Sequence, residues 1–183
     1  MKAPERLETQ RLALRKPRAE DAEAIFTRYA SDAAVTRYLS WPRHQALEQT
    51  RAFLRLSDAE WERWPAGPYL VEARETGQLL GGTGLAFETA DRASTGYVFA
   101  RDAWGNGFAT EALQAMVQVA AGLGLARLYA LCHIQHSASQ RVLEKCGFSR
   151  EGILRQHTHF PNLPPPQLCD VYCYAHPLQT RRS

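Results

Sequence analysis

A chain of 183 residues, 45% hydrophobic and 22% charged, has the composition of a globular protein and the length of one domain with a full core. Its 22 basic and 19 acidic residues leave a formal charge of +3, too small a surplus to mark a nucleic-acid binder. No apolar run approaches the ~20 residues that span a bilayer, and Met1, Lys2, Ala3, Pro4 and Glu5 carry no signal-peptide core, so a cytoplasmic protein without membrane contact is expected.

Residues 11–15 alternate polar and apolar side chains, which predicts a first strand closed by Pro17. Glu20 and Asp21 suit a first helical turn, where carboxylates meet the positive end of the dipole. Ala22, Ile25, Phe26 and Tyr29 follow at helical spacing until Asp32 ends the pattern. Tyr38, Leu39, Trp41 and Pro42 then form an aromatic loop. A second helix is expected over 44–64, with Leu47, Leu54 and Trp61 on one stripe and Pro65 as its stop. Tyr69, Val71 and Ala73 alternate, Glu75, Thr76 and Gly77 turn, and 79–87 returns: a hairpin. Gly81, Gly82 and Gly84 in the returning strand point to a bulge or to another backbone lying close. A polar turn at Asp91 leads to a strand over 95–100.

Ala103, Trp104, Gly105, Asn106, Gly107, Phe108, Ala109, Thr110, Glu111, Ala112 and Leu113 carry the chain from that strand into a helix. Ala109, Ala112, Leu113, Met116, Val117 and Ala120 lie on one face of the helix, which Gly122 and Gly124 end. A glycine-rich bend at a helix N-terminus leaves N–H groups unpaired and aimed at one point, where the dipole favours negative charge. Gly105 and Gly107 would let a phosphate approach the backbone, although the same residues also suit a plain tight turn.

Residues 127–132 read as a buried central strand. Ser137, Ala138, Ser139 and Gln140 match a capping box with Ser137 as N-cap, opening a helix that ends at Cys146 with Gly147 beyond it. A strand over 148–158, a stiff loop at Pro161, Pro164, Pro165 and Pro166, and a strand over 171–175 complete a mixed α/β pattern. Cys132, Cys146, Cys169 and Cys173 show no CxxC spacing and are expected to be reduced and packed; Arg181 and Arg182 read as a solvated tail.

Three stretches in this order resemble the GCN5-related N-acetyltransferase (GNAT) superfamily, and most of all its branch of ribosomal-protein N-terminal acetyltransferases. Leu7, Glu8, Thr9, Gln10, Arg11, Leu12, Ala13, Leu14 and Arg15 are similar to that branch's opening strand. Gly96, Tyr97 and Val98, followed by Trp104 through Ala112, resemble its coenzyme-A loop. Ser139 with Arg141, Val142, Leu143, Glu144, Lys145, Cys146, Gly147 and Phe148, then Glu151 and Gly152, resembles its second signature.

The resemblance implies one N-acetyltransferase domain over 1–183, with a single, mostly antiparallel sheet flanked by helices. It implies acetyl-CoA as cosubstrate and no metal. The amides of Gly105, Asn106, Gly107, Phe108 and Ala109 would hold the pyrophosphate, with Trp104 and Thr110 beside it. The strand over 95–100 would pair with the pantetheine amides, and the N–H of Val98 or Phe99 would polarise the thioester carbonyl. A neutral primary amine, on a protein N-terminus or a small molecule, would attack directly. Relatives often dimerise, so a homodimer is one expectation.

The chain departs from the superfamily pattern in four places. His136 stands where Asn is frequent and Leu143 where a tyrosine often serves as general acid. Ser139 is then the nearest candidate to act on the leaving thiolate, while His136 can touch pantetheine or donate a proton. Ser94 and Thr158 occupy positions where relatives carry glutamate, so the base stays open; His157 and His159 are candidates, and two such histidines without further ligands do not make a metal centre. Trp41, Trp61 and Trp64 either line the acceptor pocket or pack in the core, and Glu111 complements the helix dipole. These departures keep a second reading in play, a catalytically weak acyl-CoA-binding sensor or regulatory module. A dinucleotide-binding domain fails on pattern, for want of G-x-G-x-x-G.

Overall fold

The computed structural model describes residues 1–178; Arg181 and Arg182 lie outside them. Its strands are β1 (Arg6–Glu8), β2 (Leu12–Arg15), β3 (Pro68–Ala73), β4 (Leu79–Thr89), β5 (Arg92–Phe99), β6 (Arg127–His133), β7 (Ser149–Phe160) and β8 (Gln167–His176). They form one sheet in the order β1-β2-β3-β4-β5-β6-β8-β7. Every pairing is antiparallel except β5 with β6, the mostly antiparallel sheet that the resemblance implies. The helices are α1 (Ala22–Ile25), α2 (Ala33–Thr36), α3 (Leu47–Arg63), α4 (Phe108–Gly122) and α5 (Ser137–Lys145).

The parallel pair positions everything that follows. β5 and β6 are in register only where Arg92, Ala93 and Ser94 face Arg127, Leu128 and Tyr129. Beyond Ser94 the two strands part, while β6 stays paired to β8 as far as His133. One edge of β5, at Thr95, Gly96, Tyr97, Val98 and Phe99, is thereby open. An open strand edge presents unpaired N–H and C=O groups and accepts any extended chain of amides.

The sheet is covered on both faces. α4 buries Ala112, Leu113, Ala115, Met116 and Ala120 against a core that includes Leu85, Phe99, Leu128 and Tyr174. Leu113 and Met116 are fully covered, and burial of such side chains contributes about 1.5–3 kcal/mol each. On the other face Ile25 of α1, Tyr29 of the helical turn Phe26–Ala30 that continues it, and Leu54 of α3 pack onto Leu70, Leu79 and Val98. The expected stripe on α3 is observed, with Leu54 and Trp61 buried and Leu47 partly so. Trp61 stacks edge-on to Tyr69 and donates Nε1–H to the Pro68 carbonyl at 2.7 Å, so it belongs to the core. Trp64 stacks on Phe87, and Trp41 packs beside His44.

Three expectations are corrected. The single opening strand implied by the resemblance is two strands, β1 and β2, joined by a turn in which the Thr9 amide donates to the Leu12 carbonyl. The capping box expected at α5 does not form: His136, not Ser137, is the N-cap, Ser137 is the first helical residue, and no side chain caps the helix. Gln140 instead reaches back with Nε2–H to the Ile134 carbonyl at 2.9 Å. Asp32, read as the end of a helix, is also the N-cap of α2, accepting from the amides of Ala34 and Val35.

The glycines of β4 match their expectation. Gly81 lies against β5 so closely that a Cβ there would collide with the Val98 carbonyl, and the ladder between β3 and β4 shifts register at Val71 and Glu72. Gly147 follows α5 at φ +82°, as a left-handed C-terminal stop. Among the described residues no helix is long and apolar enough to cross a membrane, and all four cysteines are free.

Candidate active site

β5 ends at Phe99, and a 3-10 turn over Arg101–Ala103 brings the chain to Trp104 and the glycine bend. Gly105 and Gly107 adopt φ of +74° and +79°, and Gly107 is the N-cap of α4. Both conformations belong to the left-handed region that glycine enters without strain. Among the described residues, the amides of Gly105, Asn106, Gly107, Phe108, Ala109 and Thr110 have no hydrogen-bond acceptor. The Asn106 side chain closes the bend from within by donating to the carbonyls of Ala103 and Trp104 at 3.3 and 3.0 Å. Trp104 is 49% exposed and donates Nε1–H to the Phe99 carbonyl at 2.8 Å, so it ties the bend to the end of β5.

The bend is braced from the far end of the sheet. Glu111, in the first turn of α4, accepts from the Thr9 hydroxyl at 2.6 Å, the Arg11 amide at 2.8 Å and Arg11 Nε at 2.7 Å. Arg11 also donates Nη1–H to the Asn106 carbonyl at 2.8 Å and lies over the Phe108 ring. Glu111 therefore does more than complement a dipole; it fastens the β1–β2 turn to the anion-binding bend. Burial pushes its carboxyl up, but the bonds from Thr9 and Arg11 prevail and hold it below the usual glutamate range. A carboxylate lowered by native partners contributes stability above its unfolded pKa and loses it as pH falls through the folded value. Glu111→Ala is expected to cost about 2 kcal/mol at pH 7, in the range of charged hydrogen bonds, with the gap closing below about pH 4. Denaturant titrations of the two proteins across pH check this.

The ladder between β4 and β5 decides which amides of the open edge are available. Ala100 donates its N–H to the Leu80 carbonyl at 2.8 Å, and successive residues of a strand alternate direction. Val98, paired with Gly82, therefore directs its N–H toward β4, whereas Phe99 and Tyr97 direct theirs into the gap. Of the two amides the sequence left open for the thioester carbonyl, Val98 is spent on the sheet and Phe99 is the free one.

The start of α5 faces the same gap. Ser139 Oγ lies 2.9 Å from the Tyr97 hydroxyl, which also approaches the Ser139 carbonyl at 3.4 Å. Burial raises the Tyr97 pKa well above its ordinary value, so its hydroxyl is protonated at neutral pH. Cys132 lies close by with its thiol raised by burial to about 11. Leu143 is 2% exposed and packs in the core, so nothing on that turn of the helix replaces a tyrosine acid.

His136, the N-cap of the same helix, packs against other aromatic rings. Its ring stacks on Tyr38, with centroids 4.8 Å apart; Tyr38 also covers His133 at 4.9 Å, and Phe160 meets His133 edge-on at 4.9 Å. Burial, and then the neighbouring His133, lower the pKa of His136; burial, and then Arg37, lower that of His133, so both rings are neutral at pH 7. His133 Nδ1 accepts from the Gln135 amide at 3.1 Å, which assigns its proton to Nε2. This wall of Tyr38, His133, His136 and Phe160 was not anticipated from sequence, because its members come from three stretches far apart in the chain, 38, 133–136 and 160.

The remaining candidates lie apart from that wall. Gln156 adopts φ +43° in a break of the β7–β8 ladder, where Asp170 accepts from the Gln156 amide at 2.9 Å and from Arg155 at 2.6 Å. His157 falls in the same break, with Nδ1 3.2 Å from the Thr158 hydroxyl, and His157 and His159 are exposed. The strand brings Phe160, not its histidines, against His133. Among the described residues no three His, Cys, Asp or Glu side chains converge as a metal site.

An eight-stranded sheet that splays at its one parallel pair, with a glycine bend and a helix N-terminus at the mouth of the splay, is the arrangement of an acetyl-CoA-dependent acyltransferase. The chain belongs to the GNAT acetyltransferase family, whose "Acetyltransferase (GNAT) domain" matches residues 11–149. It is 35% identical to the uncharacterized N-acetyltransferase YoaA of Bacillus subtilis (strain 168) over 161 residues, 86% of this chain and 90% of that protein. The GNAT-family acetyltransferase structure from Bacillus anthracis superposes with a TM-score of 0.80 at 27% identity, over 93% of this chain and 96% of that one. RimL, a ribosomal L7/L12 alpha-N-protein acetyltransferase solved with coenzyme A, has the same fold, with a TM-score of 0.81 at 22% identity, over 92% and 94% of the two chains.

Proposed function

We propose that this chain transfers the acetyl group of acetyl-CoA to a primary amine, either a protein N-terminus or a small molecule, by direct attack within one domain. The observation that carries the reading is the meeting of two unfilled sets of donors, the amides of the glycine bend and the open edge of β5. The pyrophosphate binds the amides of Gly105, Asn106, Gly107, Phe108 and Ala109, where the dipole of α4 adds its field, with Trp104 and Thr110 at the rim. Pantetheine runs along β5 as an added strand, and the Phe99 N–H donates to the thioester oxygen as negative charge develops there. The amine enters past Tyr38 and His136. Its nitrogen forms the new bond to the carbonyl carbon, the C–S pair leaves on sulfur, and the amine proton is lost to solvent or to a neutral imidazole. RimL, with its protein N-terminal acceptor, has the same fold; acceptor choice here depends on the wall around His136.

The test is a thiol-release screen with acetyl-CoA against peptides of varied N-terminal residue and against small amines, spermidine included. Release of CoA in step with acetylation of one acceptor class is the expected result. Tight CoA binding without release across the panel would favour the sensor reading, which the buried Leu143 motivates. Four free thiols suit a reducing cytoplasm, and a homodimer is an expectation for sedimentation to check.

A further inference from the structure

The hydroxyl pair Tyr97–Ser139 spans the gap between β5 and α5, a place where no backbone hydrogen bond joins the two elements. A tyrosine hydroxyl has one proton to give. Of its two acceptors, Ser139 Oγ at 2.9 Å is within ordinary O–H···O reach, while the Ser139 carbonyl at 3.4 Å is at the limit. If the serine gave its own proton to Tyr97, the buried phenol would have only that distant carbonyl for its hydrogen. The better-satisfied arrangement has Tyr97 donating to Ser139 Oγ, which leaves the serine O–H free to point elsewhere. Toward the protein it would meet Cys132, a neutral thiol and a weak acceptor.

We infer that Tyr97 is a positioning residue: by donating to Ser139 Oγ it turns the serine O–H into the gap, toward the sulfur of the departing CoA. This rests on the transferase reading above and adds a second residue to its leaving-group side. Ser139 acts there as a hydrogen-bond donor to the thiolate. A serine hydroxyl holds its proton far more tightly than a thiol with a pKa near 8.5, so net transfer to sulfur would run uphill. As the C–S bond breaks and its electron pair settles on sulfur, the O–H···S⁻ bond strengthens, and no tyrosinate or serine alkoxide forms.

The experiment compares wild type, Tyr97→Phe, Ser139→Ala and the double variant, with acetyl-CoA as donor and a serine-initiated peptide and spermidine as acceptors. CoA affinity is measured by calorimetry beside turnover. Tyr97→Phe removes only an oxygen, and equal melting curves establish that it is folded. Expected are a fall in kcat of about 10- to 100-fold for Ser139→Ala and about 3- to 10-fold for Tyr97→Phe, with the double variant equal to Ser139→Ala within about twofold. The KM for acetyl-CoA and the Kd for CoA should stay within about threefold throughout, and Ser139→Thr should retain the sensitivity to Tyr97→Phe. An unchanged kcat in Tyr97→Phe, or a Tyr97→Phe loss that persists in the Ser139→Ala background, overturns the assignment. Absence of thiol release from wild type with every acceptor overturns the transferase reading instead.

Discussion

Gly107→Val is expected to lower the affinity for CoA at least about 100-fold, close to 2.8 kcal/mol, while the chain still folds. Two effects act together. Gly107 sits at φ +79°, and a β-branched residue is a steric outlier there. Relief of that strain reorients the amides that converge on the anion. The side chain also stands where a phosphate must come, and its Cβ would lie 3.4 Å from the Arg11 guanidinium that braces the bend. The position is exposed, so the cost to stability stays near the 1–2 kcal/mol of a left-handed non-glycine residue. Gly107→Ala separates the parts, because it keeps much of the strain and little of the bulk; calorimetry should find it between wild type and valine.

A second large effect is expected at Gly81, far from any ligand in sequence. A Cβ at Gly81 would collide with the Val98 carbonyl and come within 2.9 Å of Phe99 Cα, both backbone atoms that no rotamer change can move. Gly81→Ala should cost about 3 kcal/mol in denaturant titration, the upper range of overpacked sites. The strain falls on Phe99, whose register partner is Gly81, so turnover should drop more than the folded fraction explains. Gly96→Ala supplies the contrast on the same strand pair: nothing lies within 4 Å of its Cβ, and stability should change by under about 1 kcal/mol. Equal stability losses at the two glycines would contradict the close approach of β4 and β5.

The strand, the glycine bend and the helix behind it were legible in the sequence because they are local. A strand, a bend with two glycines and an amphipathic helix follow one another within one short stretch, and each leaves its own pattern. The alternation that singles out Phe99 over Val98 was not legible, since it depends on which face of the β4–β5 ladder Ala100 joins. Nor were the pairs that hold the site together. Glu111 meets Arg11 and Thr9 from about a hundred positions away, and Ser139 meets Tyr97 across an intervening helix and strand. Tyr38 reaches His133 and His136 only once α2 and the end of β6 are folded side by side. The capping box did not form, for a physical reason: the Gln140 side chain donates to the Ile134 carbonyl instead, and the N-cap is His136.

The most direct test of the coenzyme placement is a titration of isotope-labelled protein with CoA, followed by amide chemical shifts. The largest changes are expected at Gly105, Asn106, Gly107, Phe108 and Ala109, together with Tyr97 and Phe99 on the open edge of β5. Saturating CoA that leaves those amides unmoved while shifting another surface would contradict it.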